Sequence, residues 1–256
     1  KKKKTIGYNA GESVTLGAQN TIIGGLAGDA ITEGSYNIAI GYNALTTLNT
    51  GADNVAIGIN AGGALTTGSN NVAIGNYALD NEDAHGKNVA IGYAALTAQD
   101  AGADAYNVAV GHEAGKLVST GIRNTLIGGL SGDNINTGNY NVALGMQALS
   151  GATSASKNVA IGTGALELFA GSNDTHNTAV GYLAGQVLST GNQNTFVGAL
   201  TGDALTTGTD NVAMGYQSLT TANTTESRNV AIGAYALKLL DNGSTDTTYN
   251  TVFFFF

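Results

Sequence analysis

Asn88-Val89-Ala90-Ile91-Gly92-Tyr93-Ala94-Ala95-Leu96 begins a unit that this 256-residue chain repeats from end to end. The glycine of the pentad Asn-Val-Ala-Ile-Gly, or of a near variant, recurs at 7, 24, 41, 58, 75, 92, 111, 128, 145, 162, 181, 198, 215 and 233. The spacing is 17 residues except for two steps of 19 and one of 18. A short fixed period means one structural unit stacked on copies of itself. A stacked body offers little room for a converging active site.

Each coil is numbered here from its Asn. Position 2 is Val, Thr or Ile, position 4 is Ile, Val, Leu or Met, and position 5 is always Gly. Alternation such as Val55 and Ile57 around Ala56 describes a short strand with one buried face. Gly24, Gly41, Gly58, Gly75 and Gly92 then turn the corner, where a side chain clashes or φ is positive. Asn20, Asn37, Asn54, Asn71 and Asn88 share position 1, which predicts a ladder of stacked amides. Both sets read as structural.

The second half of the coil has two forms. One places Gly at position 9 (Gly28 and Gly62, for example) with a large aliphatic residue at position 12 (Ile31, Leu65). The other places Leu at position 9, as in Leu45, Leu79 and Leu96. Each coil is thus expected to supply a large apolar group from one place or the other, holding core volume constant. Position 3, usually Ala, is large in Ile22, Leu126 and Phe196, and position 6 there shrinks to Gly25, Gly129 and Ala199. Lengthened coils are all of the Leu form, with extra residues near 98–106, 171–176, 222–228 and 241–249. These are expected to project as loops and to close blocks at approximately 3–106, 107–176 and 177–249 of one repeat domain spanning 1–256.

A helical reading fails, because Gly every few residues costs about 1 kcal/mol each in a helix. The prediction is an all-β parallel β-solenoid, a β-roll of about fourteen coils and roughly 67 Å at the usual strand spacing. So thin a core is marginal alone, and a homotrimer of parallel chains is the expected closed association.

Composition narrows the partners. Eighteen acidic residues face ten basic ones, a formal charge of -8. Lys1 to Lys4 overlie slots where the repeat calls for Asn and Val, and Phe254 stands where it calls for Gly. Both ends read as stand-ins over a continuing repeat, and the chain as a fragment of a longer fibre. So acidic a surface argues against nucleic acid. No 18-residue apolar run predicts membrane insertion. With no Cys, thiolate metal sites and disulfides are out.

The run Asn-Val-Ala-Ile-Gly-Tyr-Xaa-Ala-Leu, at residues 37–45 (Ile second), 88–96 and less closely 211–219, resembles repeats of phage tail-fibre proteins. The pentad is also similar to the head repeats of trimeric autotransporter adhesins, whose coils are shorter. The resemblance implies the structural shaft of a trimeric viral tail fibre in the virion, supporting host attachment. Its implied partners are other tail-fibre or baseplate proteins and a host surface glycan or protein. The runner-up is the head or stalk of a bacterial surface adhesin. If the shaft touches a receptor, the block-end loops carry the contact, through Asp104, Tyr106, Asp174, His176, Asp246 and Tyr249.

Catalysis finds little support, so the chain is expected to be no enzyme and to need no cofactor. His85, His112 and His176 do not share metal-ligand spacing, and His112 reads as a surface variant at position 6. Glu82 and Asp83 read as a solvated loop. Asp29, Asp133 and Asp203 read as turn caps rather than calcium ligands. Thr at positions 13 and 14 (Thr66, Thr67) is too interrupted for a flat ice-binding ladder.

Overall fold

A computed structural model describes residues 4–220, 225, 227–238 and 250–253. The chain is an all-β parallel β-solenoid of about 14 turns, spaced about 17 residues apart, with no helix among the described residues. Its contacts divide it into two compact units, 1–124 and 125–256.

Unit 1 stacks seven three-residue strands: β1 (Lys4–Ile6), β2 (Thr21–Ile23), β3 (Ile38–Ile40), β4 (Val55–Ile57), β5 (Val72–Ile74), β6 (Val89–Ile91) and β7 (Val108–Val110). Each pairs in parallel with the next in chain order. The register superposes equivalent positions, so Val55, Ala56 and Ile57 lie against Val72, Ala73 and Ile74.

Unit 2 repeats the scheme from β8 (Thr125–Ile127) and β9 (Val142–Leu144). Next come β10 (Ser154–Ser156), β11 (Val159–Ile161), β12 (Ser172–Asp174), β13 (Thr178–Val180), β14 (Thr195–Val197), β15 (Val212–Met214), β16 (Val230–Ile232) and β17 (Thr251–Phe253). Strands β10 and β12 leave the main stack to form their own parallel pair. The segment 171–176, expected as a loop, therefore carries a strand, because the two added residues let Ser172–Asp174 pair with the coil beneath it.

The strand's buried face is not the β-branched one. Ala39, Ala56, Ala73, Ala90 and Ala109 at position 3 are fully or almost fully buried, while Val55 is half-buried and Ile57 is 37% exposed. The interior is filled from the other walls, by Ala44 and Ala61 at position 8, Leu45 and Leu79 at position 9, and Ile31, Leu48 and Leu65 at position 12. The one-or-the-other volume trade is looser than expected, since Leu45 and Leu48 are buried in the same coil.

Four positions in each 17-residue coil have positive φ. Gly at position 5 takes φ of 117–143°, as Gly58 does at 136°. A Cβ on Gly58 would stand 2.6 Å from the carbonyl carbon and oxygen of Gly75. Positions 7, 9 and 17 are left-handed, shown by Asn43 (57°), Leu45 (51°) and Asp53 (59°). This conformation aims the backbone along the stack. Asn43 N–H donates to Gly25 O one coil before, at 3.1 Å, and Leu45 N–H to Ala61 O one coil after, also at 3.1 Å.

The position-1 amides form a ladder of a specific kind. Asn54 Nδ2 donates to Gly68 O at 2.8 Å, near the end of its own coil, and to Asn37 Oδ1 at 3.1 Å. Its Oδ1 accepts the backbone N–H of Asn71 at 2.9 Å. Buried polar groups must be paired, and Asn carries a donor and an acceptor on one short stem.

Candidate functional surfaces

The expected contact loops are held by ion pairs. Lys87 at position 17 pairs with Asp104 of the next coil, which also accepts the Gly86 N–H. The Lys87 hydrogen bond holds the Asp104 carboxyl below its usual range, and the Asp104 hydrogen bond raises the Lys87 ammonium above its own. Lys87 also donates to Tyr106 Oη at 3.0 Å and lies 5.1 Å from that ring's centre. Lys157 and Asp174 repeat the pair in unit 2. His176 is exposed and left-handed, with φ of 54°, as is Tyr106. So Asp104 joins Tyr106 through one lysine, while Asp174 is held by a separate lysine. Asp246 and Tyr249 lie outside the described residues.

Glu82 corrects the solvated-loop reading. It sits at position 12, the wall that elsewhere carries Leu48 or Leu65, and its side chain is fully buried, whereas Asp83 is exposed. Burial pushes its carboxyl up to about 7, against the opposing hydrogen bond from His85 N–H. Its Oε1 accepts that N–H at 3.2 Å and lies 3.7 Å from the imidazole Nδ1. Glu82 Oε2, His85 Nδ1 and Asn88 Nδ2 are buried without a hydrogen-bond partner. A polar residue at core position 12 was the available signal, since Gln99 follows Glu82 there one coil later.

Other polar candidates resolve into packing. His112 stacks on Tyr93, ring centres 5.2 Å apart. Asp29 Oδ1 accepts the Thr46 hydroxyl at 2.9 Å. Burial raises Asp203, with its own backbone N–H and Lys238 opposing. Among the described residues no three His, Cys, Asp or Glu side chains gather as a metal site.

A surface that sequence reasoning missed is the outward face of the strands. Positions 2 and 4 point away from the core, leaving Ile23 and Ile57 in unit 1, and Leu144 and Met214 in unit 2, between 37% and 43% exposed. From Asn20 onward, positions 2 to 6 of these coils contain no Asp, Glu, Lys or Arg, although the chain carries 28 such residues. Each unit therefore presents an uncharged aliphatic strip. Position 6 borders it with Tyr8, Tyr42 and Tyr93 in unit 1 and Tyr182 and Tyr216 in unit 2, all exposed.

Compared with known proteins, the chain matches no family model, no curated protein and no solved structure.

Proposed function

We propose that this chain is the structural shaft of a trimeric phage tail fibre, part of the virion, which holds a host-contacting tip away from the particle. The observation that supports this reading is the uncharged aliphatic strip on the outward face of each unit. An exposed apolar patch of this regularity marks an association surface. Seven strands at about 4.8 Å, each about 10 Å long, give roughly 340 Å² per unit before side-chain relief is counted. That is about half the area per partner of a standard interface. A second copy of the same acidic chain meets least like-charge repulsion where neither copy has charge. The repeated ladders and in-register strands suit a mechanical role, and the resemblance to tail-fibre repeats supplies the biological setting.

Analytical ultracentrifugation tests the proposal. The expected mass is three times the 25.6 kDa chain. Ile23→Lys with Ile57→Lys, both exposed in the single chain, should leave the fold intact and dissociate the assembly. A wild-type monomer at micromolar concentration overturns the reading.

A further inference from the structure

The position-10 wall of unit 1 has a missing side chain. Asp29 and Thr46 bond to each other along this column, Gly63 follows, and Asp80 comes next. Gly63 leaves a gap between Thr46 and Asp80, two strand spacings apart, or about 10 Å. A Cβ on Gly63 would run into Asp80 Oδ1, so the Asp80 carboxyl leans into the space that Gly63 leaves. The result is an open groove of about 330 Å³ lined by Asn43, Thr46, Asn60, Asp80 and Asn81, with Thr47, Gly63 and Ala64 completing it.

The lining specifies a chemistry. The Asn43, Asn60 and Asn81 amides have no hydrogen bond to another described side chain or backbone group, so each keeps donors and an acceptor for a ligand. The Thr47 hydroxyl is already engaged, by Gly63 O at 2.7 Å and Leu65 O at 2.9 Å. No Lys or Arg lines the groove, so no positive side chain in it offsets the charge of a phosphate or carboxylate. A single carboxylate, with burial working against its ionisation, does not make a divalent-cation site. Planar amides that both donate and accept, beside one carboxylate acceptor, match a neutral ring with several hydroxyls at its edge. The volume lies at the lower end of the small-ligand range.

We propose that this groove is a binding site for a neutral saccharide, with the Asn43, Asn60 and Asn81 amides and the Asp80 carboxylate hydrogen-bonding its hydroxyls. The site lies within unit 1 and does not depend on the shaft reading or on association of chains.

The test is a ¹H–¹⁵N NMR titration of the intact chain with methyl α-D-glucoside, methyl α-D-galactoside and N-acetylglucosamine. Sodium phosphate and calcium chloride serve as opposing probes. At least one sugar should shift amides of residues 43–47, 60–64 and 77–81 saturably, with a dissociation constant on the order of 1–10 mM. Gly63→Thr restores the side chain that Thr46 supplies one coil earlier, and should weaken binding at least about tenfold while leaving remote amide shifts in place. Asn60→Ala, which fills nothing, should weaken it as well. The proposal is overturned if no sugar shifts these amides by about 50 mM, if Gly63→Thr binds as well as wild type, or if phosphate or calcium alone occupies the groove.

Discussion

Gln99 Oε1 accepts a 2.6 Å hydrogen bond from the Asn107 side-chain amide, joining core position 12 of one coil to the ladder of the next. One coil earlier Glu82 and Asn88 hold the same two positions, yet Glu82 Oε2 and Asn88 Nδ2 are buried without partners. Glu82→Gln gives that coil the side chain its neighbour uses, without a charge to desolvate. Burial holds the wild-type carboxyl at about 7, above its ordinary value of 4.5. The folded state therefore keeps a proton that the unfolded state has lost, so this contribution is complete below about pH 4.5 and disappears as pH rises through about 7. His85, Asp83 and Asp100 are the groups acting on it. Urea unfolding between pH 5 and 8 should show wild-type stability falling by on the order of 2 kcal/mol, with the slope flattened in Glu82→Gln. An unchanged slope in the variant would remove Glu82 as the source.

The left-handed backbone at position 9 sets a second expectation. Gly28 and Gly62 occupy it with φ of 51° and 58°, and Leu45 and Leu79 with 51° each. For Leu this costs about 1 kcal/mol, but Leu45 is wholly buried. Leu45→Gly relieves the strain and opens a cavity, and the cavity costs more than the relieved strain returns. A net loss of about 2 kcal/mol is expected by chemical denaturation. Gln147, left-handed at position 7 with φ of 56°, is half-buried. Gln147→Asn should therefore gain a few tenths of a kcal/mol, since Asn accepts this conformation more readily. A loss of stability in Gln147→Asn would mean that φ is not the controlling variable at position 7.

Truncating the ladder is costly for a different reason. Asn54→Ala strands both Gly68 O and the Asn71 N–H, each inside the protein. A buried orphan costs about 1–3 kcal/mol, so a loss of roughly 3 kcal/mol is expected. Hydrogen exchange at Asn71 should accelerate far more than exchange at Asn20. Uniform acceleration would argue that the ladder is not locally supported.

What the sequence could and could not reveal follows from the same residues. The period and the invariant Gly announce stacking and a corner, because no other residue fits against the glycine of the next coil. The Val-Ala-Ile pattern announces two faces but not which is inside. Bulky residues suggest core, yet where Leu45, Leu48 or Leu65 fill the interior the strand contributes Ala, and only coils such as those of Ile22, Leu126 and Phe196 bury a large residue there. Nothing in Leu predicts a left-handed φ, so the signal at positions 7, 9 and 17 lies only in the coils that carry Asn43, Gly28 or Asp53 there. Glu82 looks like part of a charged loop because Asp83 stands beside it, while its place in the period, four coils of 17 from Val14, marks it as core. The sugar groove depends on a single Gly63 against its neighbours along the stack, a relation invisible in a linear reading.

The corner itself admits a direct comparison between glycines. Gly58 has φ of 136°, and a Cβ there meets the Gly75 carbonyl, which belongs to backbone and cannot rotate away. Gly102, in a lengthened coil, has φ of 66° and nothing within 4 Å of the same construction. Gly58→Ala must push apart two coils whose separation is fixed by strand hydrogen bonds on one side and the Asn ladder on the other. Gly102→Asn requires only a conformation that Asn tolerates. The expected loss is more than about 4 kcal/mol for Gly58→Ala, enough to disrupt the repeat locally, and under about 0.5 kcal/mol for Gly102→Asn. Since a failed Gly58→Ala preparation would be ambiguous alone, limited proteolysis adds a readout. Cleavage should appear near the coils of Gly58 and Gly75 and spare unit 2. Equal denaturation midpoints for the two variants would refute the close approach between Gly58 and Gly75.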